Sequence, residues 1–113
     1  SRLAYRLPLA AGLLSHIKQD DPDRSVAAAM GSKKPGSENA VVSDLRFRRV
    51  IRIEDDDELY VMMLRLIRML GEKANVRDTA RSMIFWNGQT KKRWASQYYL
   101  KRDIYSENTI INM

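Results

Sequence analysis

The sequence predicts an all-α protein, a compact bundle of about five or six short helices. Apolar residues recur at helical spacing in successive stretches, and no stretch alternates with the period of a strand. Those stretches are punctuated by cap and stop residues: Asp21-Pro22, Gly31, Gly71, Asn75 and Asn87-Gly88. With 113 residues the chain can bury one modest core but not two. The expected organisation is a single helical domain over 1–102, with N-terminal helices and a basic loop (1–36), a helical block (37–102), and a tail over 103–113.

The first helix is expected from Pro8, which needs no amide partner in a first turn, to about Lys18. Leu9, Leu13, Leu14 and Ile17 give it one buried side. His16 is the only histidine. With no carboxylate or Cys beside it, it reads as structural rather than as a ligand. Ser15 is not its catalytic partner, because adjacent helix residues point apart. Asp21 is expected to cap a short helix that begins at Pro22, runs through Val26–Met30 and stops at Gly31. Its small residues allow close packing.

Ser32 to Ser37, with Lys33, Lys34, Pro35 and Gly36, reads as a mobile basic loop and secondarily as a phosphate-touching one. The glycine spacing and Gly-Lys-Ser/Thr ending of a phosphate-binding loop are absent. Ser37 or Glu38 is expected to open the next helix. There Phe47, Val50 and Ile51 share one face, Arg48, Arg49 and Arg52 point the other way, and Arg46 lies on the flank.

The acidic run Glu54–Glu58 invites a metal or general-acid reading, but its spacing is that of neither a cation loop nor a metal pair. It is read as the first turn of the next helix, where carboxylates complement the positive end. Leu59, Met62, Met63, Leu66, Ile67 and Leu70 make that helix's apolar stripe, with Arg65 and Arg68 behind it. Gly71 closes it. Asn75 caps a helix to about Trp86 that buries Ala80, Met83 and Ile84. The last helix runs from about Thr90 to Lys101, with Lys91, Lys92 and Arg93 spread around its start. Trp94 and Tyr98, one turn apart, are read as packing inward with Trp86. The rival, a base-stacking platform, is usually built on strands.

Twenty Lys and Arg against 14 acids give a net charge of +6 and a pI near 9.8, which favours a polyanionic partner. Arginines repeated on the outer sides of two consecutive helices suit phosphate oxygens, which a guanidinium can fork. The candidate nucleic-acid-binding residues are Arg46, Arg49, Arg52, Arg65, Arg68, Lys91, Lys92 and Arg93. With no Cys in the chain, disulfides, thiolate metal sites and Cys nucleophiles are excluded, which fits a cytoplasmic setting. No apolar run approaches the ~20 residues that span a bilayer, so no membrane partner is expected. No metal or cofactor is expected either.

The ordered series Arg46-Phe47-x-x-Val50-Ile51-Arg52, Leu59 with Leu64-Arg65-x-x-Arg68, Val76-x-x-x-Ala80-x-x-x-Ile84-x-Trp86, and Lys92-Arg93-Trp94-Ala95 with Tyr98-Tyr99 resembles the CasB family, the small subunit of the type I-E CRISPR Cascade complex. Met30-Gly31 resembles a glycine preceding that block. The resemblance covers about residues 25 to 100. It implies an all-α, non-catalytic subunit of a crRNA-guided surveillance complex. The implied partners are crRNA, target and non-target DNA, the backbone and large Cascade subunits, and a second copy of the chain in a dimer. The implied task is to stabilise the R-loop in antiviral defence. By position it places Arg46, Arg52, Arg65, Lys92 and Arg93 among the binding residues, whereas Arg49 and Arg68 come from helix geometry. The chain looks short for the family and its Lys33–Gly36 loop compact, leaving an N-terminal helix absent, disordered or never encoded as open readings. The alternative function is a helical protein–protein adaptor whose Arg faces bind acidic partners. A nuclease built on the acidic run is the third reading.

Overall fold

The computed structural model describes the backbone of residues 1–111 and the side chains of residues 1–103. Among these residues the chain forms helices α1 (Arg2–Leu14), α2 (Val26–Gly31), α3 (Asp44–Ile51), α4 (Asp56–Met69), α5 (Val76–Ile84) and α6 (Gly88–Ile111). Strands β1 (Gln19–Asp20) and β2 (Lys73–Ala74) pair in parallel, Gln19 with Lys73 and Asp20 with Ala74. The fold is the expected helical bundle, although α4 and α6, at 14 and 24 residues, are not short. The tail expected over 103–113 is helical in its backbone to Ile111. Its side chains beyond Asp103, and residues 112–113, lie outside the described residues.

Helix starts follow their capping side chains rather than the prolines. Ser1 accepts from the Ala4 amide, so α1 begins six residues before Pro8, which sits exposed inside it. The helix stops at Leu14, short of Lys18. Ser25, not Asp21, caps α2 by accepting from Ala28 N. Asp21 is engaged instead by Arg24, 3.0 Å away. Ser43 caps α3, five or six residues after the start expected at Ser37 or Glu38. The intervening loop is tied down by Val41 N–H to Ser32 O (2.8 Å) and Val42 N–H to Met30 O (3.0 Å). Asp55 caps α4 and Asn75 caps α5. Gly71 and Glu72 take positive φ, 72° and 63°, to turn the chain out of α4 into β2.

The core is continuous. Leu13, Met30, Phe47, Leu59, Met63, Leu66, Met83, Trp94 and Tyr98 are fully buried in one cluster. Burying each such large side chain stabilises the fold by about 1.5–3 kcal/mol. Trp86, Trp94 and Tyr98 point inward as expected. The two indoles meet edge to face at 5.1 Å, and Phe47 meets Tyr98 at 4.0 Å. Their polar atoms are satisfied: Trp86 Nε1–H donates to Ile53 O, Trp94 Nε1–H to Ser82 Oγ, and Tyr98 O–H to Val42 O. Burial pushes the Tyr98 phenol up to about 12, so it stays a donor at any working pH.

The burial expected on α5 needs correction. In α5 only Met83 of the expected trio is fully buried. Ala80 and Ile84 are half-buried, and Asp78, Thr79 and Ser82 face inward instead. That polar inner face supplies acceptors: Asp78 Oδ2 takes the Val26 amide (2.8 Å), and Ser82 takes the Trp94 indole. Close packing of α2 on α6 requires Gly31. A Cβ there would lie 2.5 Å from Tyr98 O. No described helix is long and apolar enough to cross a membrane.

Candidate nucleic-acid interface

The apolar faces of α3 and α4 dictate where their arginines go. Phe47 and Val50 are buried, so Arg46, Arg49 and Arg52 emerge on the exposed side of α3. Leu59, Met63, Leu66 and Ile67 are buried, so Arg65 and Arg68 emerge on the exposed side of α4. Among the described residues none of these five makes an ion pair or a side-chain hydrogen bond.

Seven other arginines differ: Arg2, Arg6, Arg24, Arg48 on the flank of α3, Arg81, Arg93 and Arg102 each lie within 4 Å of a carboxylate. Arg77 on α5 is exposed without such a partner among the described residues, but it stands alone there, whereas the five on α3 and α4 cluster. Arg46 also borders a groove that Lys34 and Arg102 reach from other segments of the chain. Arg102 was not singled out in the sequence. It lies at the fading end of the helical pattern, and no spacing rule connects it to Arg46.

The three basic residues before Trp94 separate. Lys92 is exposed and unpartnered among the described residues. Lys91 Nζ bonds Glu54 at 2.8 Å and sits 5.8 Å over the Trp86 ring, its side chain largely covered. It holds the Glu54 carboxyl below its usual range. Arg93 turns inward, donating to Ser82 Oγ at 3.2 Å and lying 3.5 Å from Asp78. Its Nε and the Gln97 Oε1 one turn on are a buried donor and acceptor left without partners. Lys91 and Arg93 thus stand in the structure as packing and pairing residues. Their partners, Glu54 and Asp78, lie 37 and 15 positions away and could not be read from local spacing.

The acidic run disperses. Glu54 goes to Lys91, Asp55 caps α4 through the Glu58 amide, and Asp57 accepts from the Tyr5 hydroxyl. Asp56 is buried against Arg6, with Arg6 Nε donating at 3.0 Å, while Arg6 Nη1 donates to Ile84 O at 3.1 Å. This pair ties α1 to α4 and α5. Burial pushes the Asp56 carboxyl up, but the Arg6 and Arg2 hydrogen bonds and charges outweigh it and hold it below its usual range. Among the described residues no three carboxylates or imidazoles converge on a point where a metal would sit.

A family model described as CRISPR-associated protein Cse2 matches residues 1–99. No curated protein and no solved structure matches the chain.

Proposed function

The chain belongs to the CRISPR-associated Cse2 family, which makes it a subunit of a CRISPR Cascade complex, and from that premise we propose that it is a non-catalytic subunit that grips nucleic-acid backbone. The contact set is Arg46, Arg49, Arg52, Arg65, Arg68 and Lys92. The observation that carries the reading is the concentration of free guanidiniums: among the described residues five arginines of α3 and α4 stay exposed without an ion pair, whereas seven of the other eight arginines meet a carboxylate. Folded surfaces normally mix both signs. A run of unpaired guanidiniums on rigid helices, with no base-reading motif, suits phosphates of any sequence.

In a guide-RNA complex, pairing supplies specificity. Exchanging a DNA duplex for a heteroduplex is nearly balanced, so a few backbone contacts tip it towards the open R-loop. The subunit's proposed ligands are therefore the crRNA–target duplex and the displaced strand. Docking on other Cascade subunits, or on a second copy, has surface available to it: Leu3 and Leu7, one turn apart on α1, are each 49% exposed.

Reconstituting the complex with Arg46, Arg49, Arg52 and Arg65 changed to Glu tests this. R-loop formation should be lost while circular dichroism keeps its helical signal. Target-DNA affinity unchanged within error would refute the basic-face reading. If the subunit still joined the complex, the adaptor role would stand in its place.

A further inference from the structure

The loop between α2 and α3, the start of α3, the end of α4 and α6 enclose an open groove of about 420 Å³. Its rim is cationic. Lys34, Arg46 and Arg102 reach it from positions far apart in the chain. Lys34 and Arg46 have no ion pair or side-chain hydrogen bond among the described residues. Arg102 meets its neighbour Asp103 at 3.2 Å on the exposed surface, a contact that holds it weakly. The lining carboxylate, Asp44, is already engaged by Arg48 at 3.1 Å and by the Tyr99 hydroxyl at 2.6 Å.

The wall carries a smaller apolar part, Ala40, Val41 and Met69, beside Asn39 and Ser43. Met69 is 37% exposed, at the end of a helix whose other core-facing apolar residues are covered. A phosphate has no use for such a wall. An aromatic ring does, because a thioether is polarisable and packs well on π-systems. In a duplex the base faces are stacked on one another, and only edges and phosphates reach a protein. A base that can lie on Met69 must be unstacked.

The geometry points to one unstacked nucleotide of a single strand as the occupant, its phosphate between Arg46 and Arg102 and its base against Met69 and Val41. This rests on the nucleic-acid reading above and narrows it to single strands at this site. Recognition is sequence-tolerant, since the wall contacts a ring face that every base possesses.

The test is fluorescence anisotropy on the full chain, with a short oligothymidylate alone and as its duplex with oligoadenylate. Met69→Ser should weaken single-strand binding about two- to tenfold, the range of a thioether–aromatic contact. It should leave duplex binding and the salt slope unchanged, and Met69→Leu, which keeps the apolar area but not the sulfur, should lose less than Met69→Ser. Arg46→Gln with Arg102→Gln should lower the single-strand salt slope by about 0.7, one phosphate's share. Equal losses on single strand and duplex, no loss with Met69→Ser, or displacement by polyglutamate as readily as by oligothymidylate would overturn the assignment. The variant Arg49→Gln with Arg52→Gln and Arg65→Gln separates the two readings. If it loses binding while the groove variants do not, the groove is wrong and the basic face stands. If neither loses binding, both fall.

Discussion

Removing the Asp56 carboxylate should be among the most damaging single changes to this fold, although the residue looks in sequence like one of five interchangeable acids. Asp56 accepts from Arg6 Nε at 3.0 Å and lies 2.9 Å from its Nη2, and both side chains are about nine-tenths covered. Asp56→Ala leaves the Arg6 guanidinium buried without its anion. Breaking a buried pair in this way costs about 3–5 kcal/mol. The whole chain, at about 0.05–0.15 kcal/mol per residue, is stable by only about 5–15 kcal/mol, so roughly a fifth or more is lost. Glu58→Ala is the control. It removes a first-turn charge from the same helix but no partner, and should cost at most about 1 kcal/mol.

Arg6→Leu with Asp56→Leu should recover most of the loss, because the pair's desolvation is removed with it. What remains is the Ile84 carbonyl deprived of its donor, about 1–3 kcal/mol. Urea unfolding followed by circular dichroism, run as a double-mutant cycle, reads all of these values. Additive costs, or a loss from Asp56→Ala no larger than that from Glu58→Ala, would refute the argument. The pH dependence has a definite sign. The folded-state pKa of Asp56 is lowered, so its contribution is complete above the ordinary carboxylate pKa and disappears as pH falls through the lowered value. Wild type should therefore lose stability on the acid side more steeply than Asp56→Ala.

Gly31→Ala places a methyl 2.5 Å from the Tyr98 carbonyl and must push α6 off α2; a cost of about 1–3 kcal/mol should appear as a drop in Tm of several degrees. If Arg46, Arg49, Arg52, Arg65, Arg68 and Lys92 each meet one phosphate, the log–log salt slope on single strands should be about −4.2, and changing the first four to Gln should reduce it to about −1.4. Lys91→Ala should leave the salt slope unchanged and lower the melting temperature, since Lys91 holds Glu54 and covers Trp86, whereas Lys92→Ala should reduce the slope. A slope that follows Lys91 rather than Lys92 would reverse their assignment.

Periodicity alone established the helical class, the inward aromatic residues and the outward arginines of α3 and α4. The reason is local: side chains three and four apart share a face, so burying Phe47 and Val50 exposes Arg46, Arg49 and Arg52 whatever the rest of the chain does. Caps followed the same logic where one polar side chain stood alone, as at Asn75. They failed where several competed, as between Asp21 and Ser25 or Ser37 and Ser43, because Asp21 was taken up by Arg24 and Ser37 by the Asn39 amide within their own loops. The β1–β2 pair was invisible, since two residues have no period. Long-range pairing settled the remainder. Asp56 became a buried counter-ion, Lys91 and Arg93 turned towards Glu54 and Asp78, and Arg102 arrived beside Arg46, because ion pairs and grooves form between residues tens of positions apart that only packing brings together.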